Sequence, residues 1–225
     1  MTVRIQAAGD AALLVSRPQR IDPTINAWCV SFAKSVASRF GDLVRDTVVG
    51  YCTVTVYFDP LRVDADWLEE QLLALSGADP VEHQGQGRVV DVPVCYGGDL
   101  GPDIGDVARF ADCSVDEVVA RHSGSTYRVY LVGFVPGFAY MAEVDHSIAT
   151  PRRSTPRTAV PAGSVAIAGG QTGIYPDVTP GGWNIIGRTP LKPFDLTRPE
   201  PSLFKVGDAV RFHPISREQF ASFEP

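Results

Sequence analysis

Glycine and proline crowd into one part of this chain, and their positions limit what it can fold into. Between Pro151 and Pro193, seven glycines and seven prolines fall within 43 residues. Proline lacks a backbone donor and breaks helices, whereas glycine permits tight turns, so a long helix is excluded there. The apolar runs there and further along the chain are short and bounded by glycine or proline, as at 164–168, 183–186 and 209–213. This pattern predicts a β-barrel or sandwich with long ordered loops.

The N-terminal part of the chain alternates helix and strand patterns instead. Asp22 followed by Pro23 predicts the start of a helix. Apolar residues recur at helical spacing from Ile25 to Val36, and Gly41 provides a left-handed cap. A second helix is predicted at 64–75, and strands are predicted at 3–7, 12–15, 43–49 and 52–58. The order of these elements suggests a small ferredoxin-like α+β domain.

A polar, turn-prone segment at 79–87 separates the two patterns and is predicted to be a domain boundary. We therefore expect an N-terminal α+β domain, residues 1–84, followed by a β-barrel domain, residues 85–225. Two helices are expected near the start of the second domain, at 103–111 and 114–122.

Composition and charge exclude several classes of protein. The chain is 44% hydrophobic and 20% charged, which is ordinary globular usage and not that of a disordered chain. It has 20 basic and 26 acidic residues and no long basic run, so nonspecific binding to nucleic acid or membranes is not expected. No segment has the pattern of a signal peptide or membrane span, and we expect a cytoplasmic protein. No metal site is expected, because metal-ligand spacing is lacking among Cys29, Cys52, Cys95 and Cys113.

The usual motifs for nucleotide binding and nucleophilic catalysis are absent from the sequence. There is no G-x-x-x-x-G-K-[ST], no G-x-G-x-x-G after a strand and no G-x-S-x-G, so no catalytic residue is assigned. His146 beside Asp145 could be a general base, but an isolated exposed histidine is the favoured interpretation. His122, at a helix end, is interpreted in the same way.

An aromatic segment at 133–140 is the first of three that suit a binding site. It follows a predicted strand and presents Phe134, Phe138 and Tyr140 on a backbone that proline stiffens and glycine turns. Such a loop can line a pocket, or its phenylalanines can fill the end of the barrel. Tyr140 favours the pocket because its ring has a polar tip.

The second segment, 151–157, carries three arginines in an otherwise acidic chain. A guanidinium group is a planar fork of donors that matches a carboxylate or phosphate, so this segment is the natural anion site. We expect Arg152 and Arg157, rather than Arg153, to bind the anion. For Arg153 a solvated surface position is an equal alternative.

Glycines dominate the third segment, which comprises 161–176 and 179–183. Their backbone amides can approach a ligand closely, and Gln171 adds an uncharged donor and acceptor suited to an amide. Each glycine taken alone is better explained by a tight turn, but the three segments together favour one binding site. The candidate substrate-binding residues are Phe138, Tyr140, Arg152, Arg157, Gly169, Gly170, Gln171, Tyr175, Gly181, Gly182 and Trp183.

Long motifs within these segments also resemble a known family. They read YLVGFVPGFAY at 130–140, ATPRRSTPR at 149–157, VPAGSVAIAGGQTGIYP at 160–176 and PGGWNIIGRTP at 180–190, and KVGDAVRFHPI follows at 205–215. The sequence resembles the family of the 5-oxoprolinase B subunit, also called allophanate hydrolase subunit 1 or the KipI family (carboxyltransferase domain, subdomain C and D). The resemblance spans essentially the whole chain.

The resemblance implies a fold, an activity and partners. The implied fold is an N-terminal α+β domain followed by a cyclophilin-like β-barrel, without the prolyl isomerase activity of cyclophilins. The implied partners are an adjacent cyclophilin-like protein (the C subunit of 5-oxoprolinase, or allophanate hydrolase subunit 2) and a third protein, the A subunit. Together they would carry out ATP-dependent opening of 5-oxoproline to L-glutamate, an amidohydrolase reaction for which this chain alone would be inactive. Whether this chain itself binds ATP stays open.

On that hypothesis the candidate residues take definite roles. Arg152 and Arg157 hold a carboxylate or phosphate, and Gln171 orients the amide. The glycines supply backbone donors, and the aromatic side chains shape the walls. Two alternatives stay open: a non-catalytic regulator that inhibits a sensor histidine kinase, and a subunit that acts on another amide, such as allophanate or a urea-like compound.

Overall fold

The structure, a computed structural model, describes residues 2–77 and 87–223. The chain divides into two compact units, Met1–Gly85 and Gln86–Pro225. The segment predicted as a domain boundary lies outside the described residues except for Gly87, so the residue at which the domains part stays a prediction.

The N-terminal unit is an antiparallel sheet with two helices, which confirms the predicted α+β class. Within residues 2–77 its strands are Arg4–Ala7 (β1), Ala12–Ser16 (β2), Val44–Val49 (β3) and Thr53–Phe58 (β4), and its helices are Pro23–Phe40 (α1) and Ala65–Ser76 (α2). Helix α1 begins as predicted, because the Asp22 carboxylate accepts hydrogen bonds from the Thr24 and Ile25 amides. Apolar side chains of both helices and the sheet, such as Phe32, Val56 and Leu68, form its core.

The edge strand beside β2 precedes the first helix in the sequence. The sheet order is β1-β2-β4-β3, so the strand beside β2 comes from the N-terminus rather than from the residues after α2. Gly9, with a φ of 77°, turns the chain tightly enough for β1 and β2 to pair as a hairpin. The ferredoxin-like sheet is thus completed by residues that precede the first helix.

The second unit is built around a closed barrel, as the glycine and proline pattern predicts. Its strands are Val89–Tyr96 (β5), Thr126–Val132 (β6), Ala139–Ala142 (β7), Arg157–Val160 (β8), Ser164–Ala168 (β9), Gln171–Ile174 (β10), Thr179–Gly181 (β11), Asn184–Arg188 (β12) and Ala209–Pro214 (β13), and its helices are Ile104–Phe110 (α3), Val115–Ser123 (α4) and Arg217–Ala221 (α5). Within residues 87–223, seven strands close in the order β10-β7-β6-β13-β5-β12-β9, and β8 pairs with β11 in a separate two-stranded sheet. β5 and β13 run parallel, whereas the other neighbours in the barrel are antiparallel.

His122 corrects one expectation, because its side chain is fully buried rather than exposed. It lies four residues after Val118 on the inward face of α4, so both side chains point into the core. Its ring nitrogens lie 2.8 Å from the Tyr96 hydroxyl and 2.9 Å from the Thr172 hydroxyl. Burial lowers the pKa of His122 to about 3, so the ring is neutral and belongs to the barrel core.

Candidate functional site

A cavity of about 240 Å³ opens beside β7 and β11, and we term it the aromatic pocket. It gathers seven of the eleven candidate residues from all three segments that the sequence singles out. Its walls are Phe134, Phe138, Tyr140, Arg152, Arg153, Pro156, Tyr175, Pro180, Gly181, Gly182 and Trp183.

Phe138 is the centre of the aromatic wall. Its ring centroid lies 4.7 Å from that of Tyr140, 5.1 Å from Tyr175 and 5.6 Å from Trp183. These spacings are those of favourable aromatic pairs, mostly edge to face. Phe138 is only 2% exposed, so it fills the core and holds the pocket wall at the same time.

Phe134 lies at the rim of the pocket in an unusual conformation. Its φ of 74° is in the left-handed region that bulky residues rarely adopt, and its side chain is 62% exposed. Such strain persists only where surrounding structure imposes it, and it is common at functional sites. The rim of the aromatic pocket therefore presents an apolar ring to solvent.

Gly181 allows the pocket wall to close around Tyr175. A Cβ built on Gly181 would overlap the Tyr175 side chain, with 2.8 Å to two of its ring carbons. The neighbouring Gly182 has room, since the nearest atom to such a Cβ is 3.6 Å away on Pro156. The Gly182 carbonyl accepts a hydrogen bond of 2.8 Å from the Arg153 amide, which ties the arginine segment to the wall.

Two tyrosine hydroxyls in the pocket stay protonated at neutral pH. Burial raises the pKa of Tyr140, and the nearby Arg152 only partly opposes this. Burial likewise raises the pKa of Tyr175, against a smaller opposing effect of the Trp183 backbone. Both hydroxyl groups can therefore donate a proton in a hydrogen bond to a carbonyl or carboxylate oxygen.

Arg152 is the exposed cation of the aromatic pocket. Its guanidinium carbon lies 6.0 Å from the centroid of the Trp183 ring, at the outer limit of a cation–π contact. It makes no salt bridge to a carboxylate in the described parts of the chain. The group is therefore free to bind an anion that enters the pocket.

Asp103 joins the other two arginines behind the pocket, and we term these three residues the Asp103 cluster. The Asp103 carboxylate lies 2.7 Å from Arg153 and 2.8 Å from Arg157, which it binds with both oxygens. It also accepts the Ile185 amide at 2.7 Å. Its side chain is 3% exposed, so one buried negative charge holds two positive charges and the cluster carries a net charge of about +1.

The structure separates four candidate residues from the aromatic pocket. Arg157 lines a second cavity instead. Arg153, which the sequence favours less than Arg157 as an anion-binding residue, lines the aromatic pocket. Gln171 is the first residue of β10, and Tyr175 directly follows the end of this strand. A strand rises roughly 3.3 Å per residue, so β10 separates Gln171 from the Tyr175 side of the pocket by about 13 Å. Gly169 and Gly170 form the turn before Gln171.

Backbone hydrogen bonds hold the two glycines in that turn. The Gly169 amide donates to the Thr150 carbonyl at 2.7 Å, and the Gly170 carbonyl accepts from the Val144 amide at 3.0 Å. Gly169 has a φ of 56°, which a turn requires and glycine permits. The turn therefore accounts for glycine at position 169, whereas nothing in the structure requires glycine at position 170.

Asp103 is the candidate site residue that the sequence does not indicate. An aspartate before an apolar helical pattern predicts an N-cap, yet the Asp103 side chain makes no capping hydrogen bond. Its ion-pair partners lie 50 and 54 residues away in sequence. The one sequence signal that points toward it is the cluster of three arginines at 151–157, which can pair with a carboxylate.

Other candidate features lie outside the pocket. His146 is fully exposed, as expected, and its ring lies 3.7 Å from the Asp145 carboxylate. Across residues 2–77 and 87–223, no group of three histidine, cysteine, aspartate or glutamate side chains could hold a metal ion. No helix in those ranges is both long and apolar enough to cross a membrane.

Comparison with known families gives one match that spans most of the chain. The sequence pattern of the family described as carboxyltransferase domain, subdomain C and D, matches residues 3–204. The matched region includes every residue of the aromatic pocket and of the Asp103 cluster.

Three curated proteins, each named as the B subunit of 5-oxoprolinase, are similar to the chain. The Bacillus subtilis protein is 34% identical over 240 residues, covering 100% of this chain and 98% of its own. The Haemophilus influenzae protein is 41% identical over 195 residues, covering 87% and 89%. The Escherichia coli O157:H7 protein is 50% identical over 182 residues, covering 80% and 83%.

Solved structures share the fold. The crystal structure of TTHA0988 matches with a TM-score of 0.81 and 33% identity; the match covers 96% of this chain but only 40% of that one. Urea amidolyase of K. lactis matches with a TM-score of 0.79 at 20% identity, over 97% of this chain and 15% of that one. The second likeness concerns the fold alone.

Proposed function

The chain belongs to the family of carboxyltransferase domains, subdomain C and D, and from that premise we propose that it is the B subunit of a 5-oxoprolinase. The proposal rests on one observation: the three curated relatives are all named as the B subunit of 5-oxoprolinase. They are 34%, 41% and 50% identical to this chain over most of both sequences. No observation favours a kinase regulator or a subunit that acts on a different amide.

The aromatic pocket suits a small cyclic amide. Its volume of about 240 Å³ is below the roughly 300–1,000 Å³ of sites for drug-sized ligands, so the ligand is small. 5-Oxoproline is a five-membered lactam that carries one carboxylate. We propose that its ring lies against Phe138 and Trp183 and that its carboxylate binds Arg152 at the open side.

The pocket positions the amide for hydrolysis. In that reaction water adds to the lactam carbonyl carbon, the ring C–N bond breaks, and the nitrogen takes up a proton to give glutamate. Tyr140 and Tyr175 offer hydroxyl donors that can orient the lactam oxygen, and the aromatic wall keeps bulk water from its faces. These residues bind and orient the substrate, and no nucleophile or general base is assigned to this chain.

ATP does not fit this pocket. The cavity is smaller than a site for a drug-sized ligand, it is walled by aromatic rings, and Arg152 is its exposed cation. A triphosphate needs several donors, as a glycine-rich loop at a helix N-terminus supplies them. We therefore propose that the ATP used by the complex binds to another subunit.

We propose two partner subunits, a second cyclophilin-like subunit and a third subunit that completes the enzyme. The strained, exposed Phe134 at the pocket rim is where the cyclophilin-like partner would contact this chain and close the pocket.

The four cysteines are free thiols, as in a reducing compartment, and this supports a cytoplasmic location.

Reconstitution tests the proposed function. This chain is co-expressed with its adjacent cyclophilin-like and third-subunit candidates, and glutamate released from 5-oxoproline is measured with and without ATP. We expect release only when all three chains and ATP are present, because this chain holds the lactam and ATP binds elsewhere. Equal release from a complex that lacks this chain would contradict the proposal.

A further inference from the structure

A second cavity, of about 230 Å³, lies next to the Asp103 cluster and has no role in the proposed function. Arg157 lines this cavity, whereas Arg153 lines the aromatic pocket. The same Asp103 carboxylate holds both arginines, so the cluster contributes one guanidinium group to each cavity. We term this second space the arginine cavity.

Ser164 gives the arginine cavity an unsatisfied hydroxyl group. The residue is 0% exposed, and its Oγ has no hydrogen-bond partner in the described parts of the chain. A buried polar group without a partner destabilises the protein, so such groups are rare in native folds. Ser164 lines the cavity at the start of β9, where a ligand could supply the missing partner.

Arg188 adds a positive charge that forms no salt bridge within residues 87–223, although the Asp99 carboxylate lies within electrostatic range of it. Its Nε is buried and has no hydrogen-bond partner there, and its side chain forms no salt bridge. The acidic lining residue Asp99 is already bound by Arg217 through both carboxylate oxygens. Arg188 together with the Asp103 cluster therefore leaves the cavity with an excess of about two positive charges.

We propose that the arginine cavity is a binding site for a compact oxyanion, a phosphate or a carboxylate group. Arg188 and Arg157 supply guanidinium donors that match oxyanion geometry, and the Ser164 hydroxyl can donate to a further oxygen. The space is several times the roughly 30 Å³ share of one water molecule, so an oxyanion has room. The site does not depend on the proposed function, because it uses neither the aromatic pocket nor a partner subunit.

Equilibrium dialysis of the full chain with inorganic phosphate and, separately, with succinate tests this site. We expect saturable binding of phosphate, of succinate or of both that persists in Arg152→Ala, which removes the free cation of the aromatic pocket, and the stronger ligand identifies the source of the oxyanion. Arg188→Gln should raise the dissociation constant at least about tenfold, since it removes a charge-assisted contact. Arg211→Gln is the matched control and should bind as the wild type does, because Arg211 pairs with the exposed Asp91 on the surface of β13.

Ser164→Ala provides a second readout in case the arginine variant does not fold. Because the hydroxyl has no partner without ligand, the alanine variant should keep or raise the thermal midpoint of the ligand-free chain and bind the anion severalfold more weakly. No saturable binding of either anion by the wild type would overturn the proposal. Unchanged affinity in both Arg188→Gln and Ser164→Ala would also overturn it.

Discussion

At the scale of single residues, the arrangement of charge around Asp103 organises the site. One carboxylate accepts hydrogen bonds from Arg153, Arg157 and the Ile185 amide, and it is nearly inaccessible to solvent. Arg152, which lies outside this cluster, keeps its charge for a ligand. Whether an arginine is paired or available to a ligand therefore depends on whether its guanidinium group reaches the buried Asp103 carboxylate.

Asp103→Asn should destabilise the chain by about 2–4 kcal/mol in urea unfolding. Breaking a fully buried pair costs roughly 3–5 kcal/mol, and the arginines here are 32% and 26% exposed, so water recovers part of that loss. Asp106→Asn is the control in the first turn of α3, the helix that follows Asp103, because Asp106 pairs with Arg109 and both side chains are more than half exposed. It should change stability by less than about 0.5 kcal/mol. Equal losses in the two variants would show that the cluster is not structurally important.

At the scale of elements, the sequence predicts helices well and short strands poorly. The helices follow from local rules, as the Asp22 and Ser114 side chains show by capping the first turns of α1 and α4. β8, β10 and β11 lie in the regions predicted as ordered loops, because strands of only three or four residues carry little local signal and are defined by distant partners.

The candidate site shows the same limit. The sequence indicates the aromatic, arginine and glycine segments. Seven of the eleven candidate substrate-binding residues in these segments line the aromatic pocket. The sequence could not place Gln171 at the far end of β10 from Tyr175, since that depends on where the strand starts and ends. Nor could it pair Asp103 with arginines some fifty residues away, since only the tertiary fold brings them together.

The two adjacent glycines at the end of β11 offer a matched test of the pocket wall. Gly181→Ala places a Cβ on the Tyr175 ring and should displace that wall, lowering glutamate release by the complex at least about tenfold. Gly182→Ala meets the Pro156 ring and the Arg153 carbonyl at ordinary contact distances and should retain most of the activity. Circular dichroism confirms folding of both variants. Equal activity in the two would mean that the Tyr175 wall does not shape the substrate site.

At the scale of the whole molecule, the chain pairs a small α+β unit with a barrel unit that carries both cavities. The site residues of the aromatic pocket and the arginine cavity all come from the second unit, Gln86–Pro225. On the proposed function, the aromatic pocket binds and orients a small substrate, and no nucleophile is assigned to it. An enzyme that needs further subunits is consistent with that division of function.

The most direct test of the central claim is a 5-oxoproline saturation curve for the reconstituted complex with Arg152→Ala. Loss of the guanidinium that holds the substrate carboxylate should lower kcat/KM at least about tenfold, mainly through a higher KM. Arg211→Ala, on the surface of β13, is the control and should leave the curve unchanged. If Arg152→Ala also leaves kcat/KM unchanged while the complex is active, the aromatic pocket is not where 5-oxoproline binds.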